Sequence, residues 1–276
     1  MSTVLITGAS RGIGRATALT LERRGWTVWA GVRTDDAARD LRREGSERLR
    51  PVVLDVTDAA SVRAVAEAIG DAPLDGVVNS AGIALAGVLE AVDPDDLRRQ
   101  LDVNLIGPVA VTQAVLPALR RGGGRVILVS SVNGRLALPF LGGYSASKFA
   151  LEAVGDTLRL ELRPWRLPVV LVEPTAIDTD MWRGAEEDVE ATIAAMTDEQ
   201  RRLYAGTLEA ARRTTRRMAK SAAPVATVVR TICEALTTAR PRPRYLVGRD
   251  AKGTPLLEAL PDRARDALLT RVMGLE

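Results

Sequence analysis

Residues 144–148 read Tyr-Ser-Ala-Ser-Lys, in a chain of 276 residues that contains no histidine. Histidine is the side chain that most often moves protons near neutral pH, so acid–base chemistry here falls to other groups. A free tyrosine titrates near 10 and is by itself an idle donor. A lysine four residues on shares its helix face, and a nearby ammonium favours the phenolate and lowers that value. Tyr144 with Lys148 is therefore a candidate proton donor with its activator. Ser131, at the end of an apolar run thirteen residues earlier, can hydrogen-bond an oxygen on which negative charge develops.

A second chemistry-bearing stretch is Thr-Gly-Ala-Ser-Arg-Gly-Ile-Gly at 7–14. Gly8 permits a tight turn, and Gly12 and Gly14 let the backbone approach a pyrophosphate and pack helix on strand. The helix that follows offers free N–H groups and a partial positive charge to phosphate. Alone, the pattern also suits a glycine-rich turn with no ligand.

These residues need elements to hold them. Apolar, β-branched runs predict strands at 3–8, 26–32, 50–56, 74–82, 124–131 and 167–174, with a seventh expected at 243–248. Helices are predicted over 14–25, 58–69 with Asp58 as N-cap, 94–119 and about 143–163. Near-continuous apolar strands alternating with helices are the pattern of a parallel sheet covered on both faces. The fold class is α/β, a doubly wound parallel sheet of Rossmann type in a single domain over 1–276. Ser131 and Tyr144 then fall at the carboxyl edge of the sheet, where such folds bind ligands. Residues 181–220 read as a helical substrate lid and 240–276 as a C-terminal extension. Its last helix, with Leu268, Leu269 and Val272, is expected to pack on the chain's own core, a membrane or partner contact being the other reading.

In this order the motifs resemble the short-chain dehydrogenase/reductase family, single-domain branch. The resemblance rests on Thr-Gly-x-x-x-Gly-x-Gly at 7–14, Asp55-Val56, Asn-x-Ala-Gly at 79–82, Asn104, Ser131, Tyr-x-x-x-Lys at 144–148 and Pro-x-x-x-x-Thr at 174–179. It covers about the first 180 residues. The stretches Val-Asn-Ser-Ala-Gly (78–82), 158–174 and 235–251 look most like the hydroxysteroid and retinol dehydrogenase-like members.

The resemblance implies hydride transfer between a nicotinamide cofactor and a carbonyl or alcohol. Asn104, Ser131, Tyr144 and Lys148 would be catalytic, with Asn104 keeping a kink that positions a water in the proton relay and Lys148 also holding the ribose. Cofactor contacts are implied at Gly8, Ser10, Arg11, Gly12, Ile13, Gly14, Arg33, Asp55, Val56, Asn79, Ala81, Gly82, Asn104, Tyr144, Lys148, Pro174, Ile177 and Thr179. Val32 stands where NAD-using relatives carry an acid, and Arg33 follows it with Arg11 in reach. Arginine suits phosphate through paired donors, so NADP(H) is expected. Asp35 and Asp36 are a helix N-cap pair or, if the strand runs longer, a ribose ligand. The family's usual Pro-Gly is here Pro174-Thr175, which restricts the backbone beside the nicotinamide. A nucleotide-binding sensor or scaffold without turnover is the alternative function.

Leu138, Phe140, Leu141, Met181 and Trp182 would line an apolar substrate pocket, unless they only pack the lid. Arg212 with Arg216, and Arg213 with Arg217, place like charges one turn apart. That is a solvated face or, less simply, a site for an acidic carrier or phosphate-bearing substrate. A homodimer or homotetramer through the Tyr144 helix is implied by resemblance.

Composition closes other classes. Hydrophobic residues are 46% and the net charge is +3, with 38 basic residues of which only Lys148, Lys220 and Lys252 are lysines. No basic stripe with stacking aromatics marks a nucleic-acid face. One cysteine, Cys233, and no histidine argue against a disulfide or a zinc site. No leader is expected before the strand at Thr3, and the apolar run Val109–Leu119 is short for a membrane span. The expected location is cytoplasmic.

Overall fold

Short β-branched runs bounded by glycine and proline pair as parallel strands, and amphipathic stretches between them return the chain across the sheet. In the computed structural model, which describes residues 2–248 and 250–275, the strands are β1 (Thr3–Ile6), β2 (Thr27–Val32), β3 (Leu49–Val53), β4 (Gly76–Asn79), β5 (Arg125–Val129), β6 (Val169–Pro174) and β7 (Arg244–Val247). The side chains of Met181, Trp182, Ala185, Asp250 and Lys252 lie outside the described residues. The sheet order is β3-β2-β1-β4-β5-β6-β7, parallel throughout. The order reverses between β1 and β4, and there the carboxyl ends of the strands part to leave a crevice.

Alternate side chains feed two layers, as the two-residue period of a strand requires. Val4, Ile6, Ile127 and Val129 join one apolar core; Leu5, Val126 and Leu128 join the other. The first core is covered by α1 (Gly12–Arg23), α2 (Asp35–Glu44) and α11 (Val225–Thr237). The second is covered by α3 (Ala59–Ile69), α5 (Gly107–Gly122), which follows α4 (Pro94–Leu101), and α6 (Gly142–Glu161).

The helix expected over 94–119 is not continuous. Between α4 and α5 lies a π turn, Asp102–Ile106, with Asn104 fully buried inside it. The whole stretch Pro94–Gly122 is long and apolar enough to cross a membrane by length and composition. In the fold Val111, Val115, Ala118 and Leu119 are buried in the second core. Asp58 caps α3 by accepting from the Ala60 N–H at 2.9 Å. At α2 the N-cap is Thr34, not the Asp35–Asp36 pair, which occupies the first turn instead.

The lid region folds as α7 (Asp180–Arg183), α8 (Ala185–Ala195), α9 (Asp198–Leu203) and α10 (Ala205–Ser221). A small third core joins it to the rest: Val189, Ile193, Met196, Leu208 and Ala211 pack on Val88 and Phe140. The extension supplies β7, α12 (Thr254–Glu258) and α13 (Asp262–Met273). Against expectation, α13 has no buried residue: Leu268 and Val272 are exposed.

Candidate active site

A cleft of about 330 Å³ opens at the crevice between β1 and β4. One end is the glycine turn. Gly8 and Gly12 have φ of +68° and +54°, where a side chain is strained. A Cβ on Gly8 would press on the Ala81 backbone at 2.8 Å, whereas one on Gly12 would meet only the Thr179 methyl, at 3.4 Å. Gly12 thus leaves an open shelf on the cleft side. Arg11 is the N-cap of α1 but gives no side-chain cap, and the first turn carries no acid. Unpaired N–H groups with a partial positive charge therefore face the cleft, which is the donor set a pyrophosphate needs.

Arg33, directly after β2, lines the same cleft with Arg11, Asp55 and Val56. The Asp55 carboxyl is held below the usual range, chiefly by the backbone N–H and hydroxyl of Thr57, with help from Arg33. Asp36 is engaged with Arg39 on its own helix.

The other end carries the proton-transfer candidates. Ser131, Tyr144 and Lys148 all line it, together with Pro174, Ile177 and Thr179. Tyr144 stands in the first turn of α6 and is partly exposed to the cleft. Burial pushes its phenol above the ordinary value of 10, and Ser131 draws it back down. Burial thus opposes the lowering expected from a nearby ammonium. The lysine ammonium lies 5.7 Å from the ring centroid and donates instead to the Val129 carbonyl at 2.9 Å. Burial lowers Lys148 itself to about 8, against a push upward from Glu152.

The Ser131 hydroxyl feels Tyr144, but its aligned partners are backbone: it accepts from the Asn133 N–H at 3.1 Å and donates to the Pro174 carbonyl at 3.4 Å. The long second bond leaves the proton easily turned toward a substrate oxygen.

Two predicted residues stand behind the wall rather than on it. Asn79 is buried and donates to the Thr112 hydroxyl at 3.0 Å. Asn104 accepts from the Ile83 N–H at 2.9 Å and donates to the Ile83 carbonyl at 2.8 Å and the Ser147 hydroxyl at 3.0 Å. Those bonds account for the π turn: the side chain replaces a neighbouring strand for the 81–85 loop, and the helix opens to admit it. The remaining cofactor candidates, Ser10, Ile13, Gly14, Ala81 and Gly82, line the cleft.

Thr175 carries no backbone strain, since its φ is not positive. Its side chain packs on Gly248, where an added Cβ would fall inside contact distance of the threonine hydroxyl. The bulk introduced at 175 is accommodated by a glycine at the end of β7.

Leu138, Phe140 and Leu141 line a separate small cavity of about 60 Å³ with Val189, Ala211, Met218 and Met273. Met218 lines both spaces. Met181 and Trp182 lie outside the described side chains. Sequence reasoning missed Asn133, Met218 and the Thr175–Gly248 contact. Asn133, two residues after Ser131, was open to discovery as a serine-turn partner; Met218 reaches the site only through the folding of the lid.

With this geometry in view, the chain matches the family model described as short chain dehydrogenase over residues 2–190. It is 38% identical to mouse retinol dehydrogenase 5 over 281 residues, covering 98% of this chain and 88% of the relative. It is 36% identical to human 17-beta-hydroxysteroid dehydrogenase type 6 over 287 residues, covering 97% and 87%. A short chain dehydrogenase from Burkholderia cenocepacia solved in complex with NADP superposes with a TM-score of 0.76 at 28% identity, covering 97% of each chain. A short-chain dehydrogenase from Streptomyces avermitilis gives 0.77 at 27%, covering 99% and 96%. The chain belongs to the short-chain dehydrogenase family of oxidoreductases, and its sequence relatives include retinol and hydroxysteroid dehydrogenases.

Proposed function

We propose that this protein passes a hydride between NADP(H) and a hydrophobic ketone, aldehyde or secondary alcohol, with Tyr144 as proton donor and acceptor. One observation carries the reading: Ser131, Tyr144 and Lys148 meet at one end of a cleft whose other end is an uncapped, acid-free helix N-terminus behind Gly8, Gly12 and Gly14. The cofactor would be held by that turn, Arg11, Arg33, Asp55 and the 174–179 segment, and when bound it supplies or takes up the hydride. The named NADP complex of a structural neighbour agrees with this choice.

The chain's own groups handle the oxygen. Ser131 hydrogen-bonds it, and Tyr144, held as a phenol by burial, donates the proton as negative charge develops. A phenol kept protonated favours carbonyl reduction at neutral pH; the oxidative direction needs the phenolate and gains at alkaline pH. Lys148, charged below about 8, supplies positive charge behind the tyrosine. The substrate's apolar body would occupy the space lined by Leu138, Phe140, Leu141 and Met218. The same reading places the chain in the cytoplasm, a choice supported by the burial of Val111, Val115, Ala118 and Leu119 of α5 against the sheet.

The test is NADPH consumption over a panel of hydrophobic ketones and aldehydes. Tyr144→Phe is expected to lower kcat at least about a hundredfold while NADPH still binds. Undiminished turnover in that variant would remove Tyr144 from the reaction.

A further inference from the structure

Behind the cleft, one turn beyond Lys148 on α6, Glu152 enters a buried cluster of charge. Glu152 is 7% exposed, and Glu173 on β6, immediately before Pro174, is 0% exposed. A single guanidinium nitrogen, Arg244 Nε from β7, stands 3.1 Å from both Glu152 Oε2 and Glu173 Oε1. Asp156, on the next turn of α6, takes another face of Arg244 at 2.8 Å. Arg135, from the loop after Ser131, reaches Glu173 at 3.4 Å and also pairs with Glu258 of α12. The groups facing the cluster are thus Lys148, Glu152, Asp156 and, paired to Asp156 at 2.7 Å, Arg159 from α6, Glu173 from β6, Arg135 from the loop, Arg244 from β7 and Glu258 from α12.

The cluster is short of donors. Glu152, Glu173 and Glu258 share two guanidiniums, Asp156 having Arg159 as well as Arg244, and the Lys148 ammonium is turned to the Val129 carbonyl. Among the described residues, Glu152 Oε1, Glu173 Oε1 and the Ser130 hydroxyl are buried without an aligned hydrogen bond, the Ser130 hydroxyl lying beside the Glu152 carboxyl and favouring its charged form. A buried carboxylate oxygen left without a donor is costly. Two facing carboxyls remove that cost by holding one proton between them, so that one donates to the other. The loop carrying Ser131 is pressed onto the cluster: a Cβ on Gly134 would stand 2.9 Å from Glu152 Cγ and 3.0 Å from the Ser130 hydroxyl and the Lys148 carbonyl.

We propose that Glu152 and Glu173 share one proton and act as the positioning pair that sets the charge state of Lys148. Where the proton sits decides how much negative charge the lysine faces one turn away. The titration of the two sites overlaps: burial and the neighbouring Glu152 push Glu173 up to about 7, and Lys148 lies at about 8. The relevance to catalysis rests on the reading above that Lys148 serves the cleft; the proton-sharing itself does not.

The chain has only three lysines, so lysine labelled with 13C at Cε resolves Lys148 by NMR, with Lys220→Arg and Lys252→Arg giving the other assignments. Glu152→Gln removes the adjacent negative charge and is expected to lower the Lys148 midpoint by about one unit. Glu173→Gln leaves Glu152 ionised and is expected to move the midpoint the other way. Shifts of the same sign, or no shift, overturn the proposal, because a purely structural role would disturb both variants alike. The unmodified protein gives an independent check should a variant not fold. Its infrared difference spectrum is expected to contain a protonated-carboxyl stretch at pH 6 that is lost by pH 9, and its absence at pH 6 also overturns the pair. Neither readout needs turnover, so opposed shifts in a protein that reduces no carbonyl would uphold the pair and discard the reaction.

Discussion

Tyr144 and Lys148 illustrate how a spacing motif reports neighbours but not burial. One helical turn does bring the ring and ammonium together, yet burial dominates the tyrosine and raises its pKa. No sequence pattern reports burial of an individual hydroxyl, so the direction was not legible there. The position of Arg33 beside the cleft was legible, because it follows the last residue of β2 directly. Removing it tests the cofactor choice: Arg33→Ala is expected to weaken NADPH binding by about tenfold or more, the worth of a charge-assisted hydrogen bond. NADH binding should change little in the same fluorescence titration. Glu173 gives a stability signature. Its pKa rises from 4.5 to about 7 on folding, so the folded state holds a proton that the unfolded chain releases. That contribution is complete below about 4.5 and is lost as pH rises through about 7. Thermal unfolding should therefore show Glu173→Gln gaining on the parent protein between pH 5 and pH 8.

At the scale of elements, the strands were legible because each is a nearly unbroken apolar run, and a strand buried on both faces admits little else. Their ends were less so: Gly8 and Ser131 follow β1 and β5 rather than belonging to them. The break at Asn104 was legible only through the family resemblance, which implied a kink there; periodicity could not show it, because its cause is the Asn104 side chain bonding a loop twenty-one residues away. Helix α11 was missed because its period had to be read against 181–220, which is also helical. The Thr175–Gly248 contact joins the ends of two strands that pair in register, Pro174 opposite Val247. Gly248 has φ of +127°, so Gly248→Ala adds backbone strain to the clash and is expected to lose on the order of 2 kcal/mol by urea unfolding. Adding Thr175→Gly should recover the part due to crowding and leave the part due to φ.

For the molecule as a whole, the sheet order sets the cleft at its point of reversal, and the helices on either face leave one stripe without cover. Ala146, Phe149, Ala153, Thr157 and Leu160 are exposed along α6, with Phe149 at 44% and Leu160 at 64%. Ile106, at the end of the π turn that packs on α6, is also exposed. An apolar stripe of this kind is what a second copy covers in a two-fold interface. Light scattering is expected to find a dimer or larger assembly, and Phe149→Glu to shift it toward monomer. A monomeric parent protein would remove the α6 interface. The parallel seventh strand has a consequence for the order of assembly. β7 is made long after β6, with the four lid helices and α11 translated between them. A nascent chain that has emerged only through β6 presents that strand as an open edge, with Glu173 facing no arginine from β7 and Thr175 without its glycine shelf. The support behind the cleft, Arg244 against Glu173 and Gly248 against Thr175, therefore joins the sheet only once residue 248 has been made.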